Sequence, residues 1–174
     1  MNRISSIKSF LLLGGVLLIF ESCTYVKEQA SVEGRRELAI NQAYLEEIQA
    51  VQESEEELNR ITRYDTIWRT PEEIGEIRAW DEDGVMVERR WHPINANREI
   101  FDKNENLCLR QLGIVHRYTY RYDDQNRLVE KRGFSPGHAG ERTLYKYDGQ
   151  GKLKEVIRFQ LGKVVERRKL SKNS

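Results

Sequence analysis

Apolar and polar positions follow two rhythms along this chain, one of period two with punctuation and one of helical period. The first is a seven-residue pattern that occurs four times: Trp80-Asp81-Glu82-Asp83-Gly84-Val85-Met86, Phe101-Asp102-Lys103-Asn104-Glu105-Asn106-Leu107, Tyr122-Asp123-Asp124-Gln125-Asn126-Arg127-Leu128 and Tyr147-Asp148-Gly149-Gln150-Gly151-Lys152-Leu153. Each copy reads aromatic, Asp, two polar residues, a turn former, one further residue, then an aliphatic. Successive aspartates lie 21, 21 and 25 positions apart. A fixed period of this size marks stacked supersecondary units. The physical logic is a β-hairpin: the aromatic ends one strand, Asp81, Asp102, Asp123 and Asp148 cap the turn by accepting local backbone N–H groups, and Gly84, Gly151 or Asn126 supplies a positive φ. Glu105 holds that place in the second copy, which makes it the weakest of the four turns. The aliphatic then starts the return strand opposite the aromatic, a cross-strand pairing worth roughly 0.2 to 1 kcal/mol. Two residues further stands Glu88, Glu130 or Glu155, with Leu109 in the second copy.

The helical rhythm precedes the repeats. Residues 35–62 contain neither Pro nor Gly and are rich in Ala, Glu, Gln and Leu, which favours helix. Ile40, Tyr44, Ile48, Val51, Leu58 and Ile61 recur at steps of three, four and seven, one stripe of an amphipathic helix. The expected arrangement lays this stripe, Tyr44 and Ile48 included, across one face of the hairpin sheet. About 28 helical residues span about 42 Å, the width of about eight strands. A coiled-coil seam is the alternative, interrupted at Glu55. Thr70-Pro71-Glu72-Glu73 reads as one short turn after a strand at 63–69, and the segment from Phe159 to Glu166, turning at Gly162, reads as a closing hairpin. The fold class expected is mainly β: an antiparallel sheet of repeated β-hairpins preceded by one long amphipathic α-helix.

Tyr120-Arg121-Tyr122-Asp123-Asp124-Gln125-Asn126-Arg127-Leu128 and Tyr145-Lys146-Tyr147-Asp148-Gly149-Gln150-Gly151-Lys152-Leu153 resemble the tyrosine-aspartate (YD, or RHS-type) repeats. The resemblance is strong over 118–158 and looser over 76–112. In large members of that family such repeats wind into a β-shell around a toxin. Four copies are too few to close a shell, so the resemblance implies hairpin geometry and no transferable activity.

The N-terminus has the shape of an export signal. Arg3 and Lys8 lie in or around a charged opening, residues 10–20 are an apolar run, and Ser22-Cys23 follows. The run is short for a bilayer span, which takes about 20 residues. The expected organisation is a lipoprotein signal peptide over 1–22, a tether from lipidated Cys23 to residue 34, the helix over 35–62, the sheet domain over 63–170 and a disordered tail over 171–174. This implies a bacterial cell envelope protein anchored to a membrane, the outer membrane in a Gram-negative cell. Cys23 and Cys108 are the sole cysteines. An acylated Cys23 cannot pair, so no disulfide framework exists and Cys108 reads as a small strand residue.

Charge is unevenly spread. Residues 23–108 hold 11 Lys/Arg against 20 Asp/Glu, while 109–174 hold 16 against 7. Two readings stand open: internal complementarity between an acidic helix and a basic sheet, or a basic surface for an anionic polymer or headgroup. Chemistry has little to stand on. His92, His116 and His138 form no metal-binding spacing, and there is no G-x-S-x-G, P-loop or CxxC. Gly133 to Gly140 reads as a flexible insert. The repeated aspartates are turn caps rather than calcium ligands, which must converge six or more oxygens. No enzyme activity, metal or cofactor is expected, and the export signal argues against nucleic acid. Two function classes remain: a non-enzymatic lipoprotein that binds or scaffolds a partner protein of a membrane complex, and a glycan- or lipopolysaccharide-binding module using Tyr118, Tyr120, Tyr145 and Tyr147 with Arg121 and Lys146.

Overall fold

The computed structural model describes residues 31–135 and 140–170. The expected signal peptide, Cys23, most of the expected tether, His138 and the expected tail 171–174 lie outside the described residues. The chain falls into two compact units, 1–39 and 40–174. Residues 31–55 are α-helical (α1), followed by a 3-10 turn over Glu56–Arg60. Helix therefore begins at least four residues before the expected start at 35, and α-helix proper ends seven before the expected end at 62.

Ten strands follow: β1 (Arg63–Thr70), β2 (Glu73–Trp80), β3 (Met86–Trp91), β4 (Asn97–Phe101), β5 (Leu107–Leu112), β6 (His116–Tyr122), β7 (Leu128–Phe134), β8 (Glu141–Tyr147), β9 (Leu153–Gln160) and β10 (Lys163–Lys169). They form one antiparallel sheet in sequence order, so every neighbour is a hairpin partner. The four Asp turns join β2 to β3, β4 to β5, β6 to β7 and β8 to β9, and lie along one end of the sheet.

These turns share their geometry. In each, the Asp N–H donates to the carbonyl four residues on, and the residue three on donates to the Asp carbonyl. Asp Oδ1 accepts the N–H groups of the residues two and four on, at 2.8 to 3.1 Å in all four copies. The residue three on is left-handed each time: Gly84, Glu105 (φ 63°), Asn126 (φ 57°) and Gly151. This is a type I turn closed by a left-handed residue. The aromatic then pairs with the aliphatic (Trp80 with Met86, Phe101 with Leu107, Tyr122 with Leu128, Tyr147 with Leu153), and the register slips by one residue immediately beyond. Val87, Cys108, Val129 and Lys154 are the extra residues of four equivalent bulges, which sharpen the local twist.

Strand alternation and register divide the sheet into two faces. One row runs Ala79, Glu88, Ile100, Leu109, Thr119, Arg132, Arg142, Phe159. Its middle holds the largest fully buried side chains, Ile100 and Leu109. The second unit's part of α1 lies across this face. Ala43 sits against Gly140, Glu47 pairs with Arg117 on β6 at 3.3 Å, Ser54 Oγ donates to the Cys108 carbonyl on β5, and Glu55 pairs with Arg98 on β4. From Ala43 to Glu55 the helix rises about 18 Å, and four strand spacings amount to about 19 Å, so it crosses the strands nearly at right angles.

The face of α1 that meets the sheet is only partly the expected stripe: Ile40, Val51 and Leu58 are half-buried, but Tyr44 and Ile48 face away. Ala43, Glu47 and Ser54 are buried, whereas Tyr44 is 52% and Ile48 53% exposed. The sheet explains this: Arg98, Arg117 and Arg132 flank its small apolar centre and draw carboxylates and small residues inward. Gly133 and Phe134 are a second correction, since both are buried in β7 and belong to no insert; the connection begins at Ser135.

Candidate functional site

Period two decides how the aromatic candidates are displayed. Tyr118 and Tyr120 on β6 and Tyr145 on β8 lie on the face opposite α1, with Lys131 between them in register (Tyr120 to Lys131 to Thr143). Lys131 Nζ stands 4.9 Å from the Tyr118 ring centre and 5.9 Å from that of Tyr120, within cation–π range. Gly133 lies under the Tyr118 ring: a Cβ there would come within 3.4 Å of it. Burial holds the Tyr120 and Tyr145 hydroxyls protonated above the usual tyrosine range. Tyr147 is used internally, its hydroxyl donating to the Leu128 carbonyl at 2.8 Å while Arg127 covers its ring at 4.7 Å.

Arg121 and Lys146 point to the other face. Each sits between two tyrosines in sequence, and alternation sends it to the α1 side, where Arg121 pairs with Glu130 at 3.0 Å and Lys146 with Glu155 at 3.5 Å. The structure does not gather the four tyrosines and these two cations into one surface. Their adjacency in sequence concealed this, although the two-residue period could have shown it.

Charged clusters recur across the strands. Glu130 is buried and receives Arg121, Arg132 and Arg142. Glu99, also buried, receives Arg110 at 2.6 Å. Glu88 is 1% exposed and lies 2.9 Å from Arg90 Nε, yet the two are misaligned for a hydrogen bond, so the pair is ionic without being a good donor–acceptor contact. Glu130 and Glu155 thus anchor cross-strand cations, whereas Glu88 meets Arg90 of its own strand and the second copy has the apolar, buried Leu109 at that place.

The same pairing joins helix to sheet. Glu46 meets Arg132 at 2.8 Å, Glu47 meets Arg117, Glu55 meets Arg98, and Arg60 bridges Asp81 and the Phe101 carbonyl. The acidic N-terminal and basic C-terminal halves therefore neutralise one another in part. Between α1 and the sheet lies a cleft of about 270 Å³ lined by Glu46, Glu53, Ser54, Cys108, Arg121 and Arg132. Burial, then Asp102 and Glu57, push the Cys108 thiol up to about 12, so it is an inert thiol at neutral pH.

The four turn aspartates do not converge. Asp81 Oδ2 is held by Arg60, Asp102 Oδ2 by the Asn106 amide at 2.9 Å and Asp123 Oδ2 by Arg127. No group of three or more His, Cys, Asp or Glu able to hold a metal occurs among the described residues. His92 pairs with Glu73 at 2.9 Å and His116 is exposed on β6. Among the described residues no helix is long and apolar enough to cross a membrane.

Large apolar side chains stand in the open in several places, among them Tyr44, Leu45 and Ile48 on α1, Tyr64, Ile67 and Trp68 on β1, Leu112, Ile114 and Val115 at the β5–β6 turn, and Val164 and Val165 on β10. The helical periodicity places Tyr44 and Ile48 of the α1 set against the sheet, and marks neither Leu45 nor the apolar sets on β1 and β10. No family model matches the chain and no curated protein matches it.

Proposed function

We propose that the chain is a non-enzymatic binding module of the bacterial cell envelope, tethered to a membrane by lipid on Cys23, that docks a partner protein. One observation carries the reading: α1 rests on the sheet through its small and acidic side, leaving Tyr44, Leu45 and Ile48 between 52% and 62% exposed. Asn41, Gln49 and Gln52 flank them as uncharged neighbours. An aromatic and aliphatic patch poor in charge has the composition of an interface centre. The YD-repeat resemblance supports a scaffold built of hairpins rather than a catalytic fold. Sugar stacking on the tyrosine face is less favoured, since Lys131 and Arg127 occupy ring faces a sugar would need.

The test is a cross-linking pull-down of the tagged chain from native envelopes beside Tyr44→Ser/Ile48→Ser and Cys23→Ala. The expected result is a stoichiometric protein captured by the parent chain and lost from both variants. Equal capture by the helix variant would refute the α1 patch as the docking site.

A further inference from the structure

The last strand offers a second, chemically distinct surface. β10 pairs with β9 on one side only and is exposed along its whole length. A sheet edge of this kind presents unpaired backbone N–H and C=O groups able to template an added strand. Val164 and Val165 are 52% and 58% exposed. The edge is strongly basic. Glu166 is taken by Arg158 at 2.9 Å, and Arg167 lies 3.6 Å from Glu155, whereas Lys163, Arg168 and Lys169, with Lys154 on β9, make no ion pair among the described residues. Register shifts at Val165, but Glu166 to Lys169 stay in unbroken step with Arg158 to Glu155.

Charge selects the occupant. A second copy pairing β10 to β10 would set Lys and Arg against Lys and Arg, and like charges directly opposite destabilise a strand pair. Pairing β10 to β1 fares little better, because Asp65 on β1 is already held by Arg63 and the Trp80 indole, while Arg63 and Arg69 add positive charge. We infer that β10 receives an extended acidic segment of the partner protein as an eleventh strand, with Asp or Glu alternating with β-branched residues. This rests on the binding-module reading and names one part of what is bound. An anionic membrane could meet the charges but would make no use of the backbone edge.

The test is fluorescence anisotropy of the full-length chain with a capped peptide of alternating Glu and Val. Saturable binding is expected, weakening about tenfold between low and physiological salt. A peptide of equal charge interrupted by prolines is expected not to bind, as it lacks the backbone donors. The variant Lys163→Glu/Arg168→Glu/Lys169→Glu is expected to lose the Glu-Val peptide and gain a Lys-Val one, which also shows that it is folded. Absence of binding, equal binding of the proline peptide, or equal binding of both peptides by the variant overturns the inference, as does binding to anionic phosphatidylglycerol vesicles with the peptide excluded. Partner capture retained by the β10 variant alongside a failed peptide assay would sink the edge inference and leave the module reading intact.

Discussion

At the scale of single residues, the four turns are the most legible part of the chain, because their chemistry is local. An aspartate, two polar residues and a left-handed position dictate the same pair of Oδ1 hydrogen bonds wherever they occur. Glu105, at φ 63°, is the one charged long-chain residue in that left-handed place. Glu105→Gly is therefore expected to stabilise the fold by about 0.5 to 1 kcal/mol, the relief of left-handed strain exceeding glycine's added unfolded-state entropy. Urea unfolding read by circular dichroism measures this; a loss of stability would contradict it. Glu76 makes a pH prediction. Burial pushes its carboxyl up, but hydrogen bonds from Arg78 and Arg89 outweigh burial and hold it below the ordinary value of 4.5. Its contribution is present above that range and fades as pH falls through the folded value. Glu76→Gln should accordingly flatten the acid limb of a stability–pH curve and leave the alkaline side unchanged in shape. Arg142 on Glu130 and Arg167 on Glu155 were not legible, since each comes from a strand outside that glutamate's own hairpin, whereas Arg121 and Lys146 lie opposite the same glutamates across their own turns.

The helix teaches a different lesson at the scale of elements. Its existence was legible from composition, and its docked side was not. A periodic apolar stripe faces the core only if the surface it meets is apolar, and here that surface carries Arg98, Arg117 and Arg132 around Ile100 and Leu109. Ala43, 7% exposed and packed against Gly140, is the close contact of the interface. Ala43→Leu should destabilise by about 1 to 3 kcal/mol through overpacking, while Tyr44→Ser should stay within about 0.5 kcal/mol. Thermal melts of the two variants compare them directly, and the reverse order would return the stripe to the sheet. Glu47 makes the complementary point: burial raises its pKa above the ordinary 4.5 despite Arg117. Its favourable contribution is thus fullest at acid pH and is lost as pH rises through the raised value. Glu47→Gln is expected to cost little at neutral pH, because a buried ion pair recovers little beyond its desolvation.

Across the whole molecule, Glu46 with Arg132, Glu47 with Arg117 and Glu99 with Arg110 join the acidic half of the chain to the basic half, and β10 keeps cations that make no ion pair among the described residues. Counting charges showed the imbalance; only the crossing of α1 over β8 to β4 shows which charges meet. An open sheet of sequential hairpins has two free edges, and this one places exposed Tyr64 and Trp68 on the first and unpaired cations on the last. The account turns on whether the outward side of α1 meets a protein in the cell. A photoreactive amino acid placed at Ile48 of the full-length chain in cells, with one at buried Leu109 as control, tests it. A discrete protein adduct from position 48 and none from 109 is the expected result; adducts from position 48 confined to the chain's own sheet, or to lipid, would contradict docking through α1.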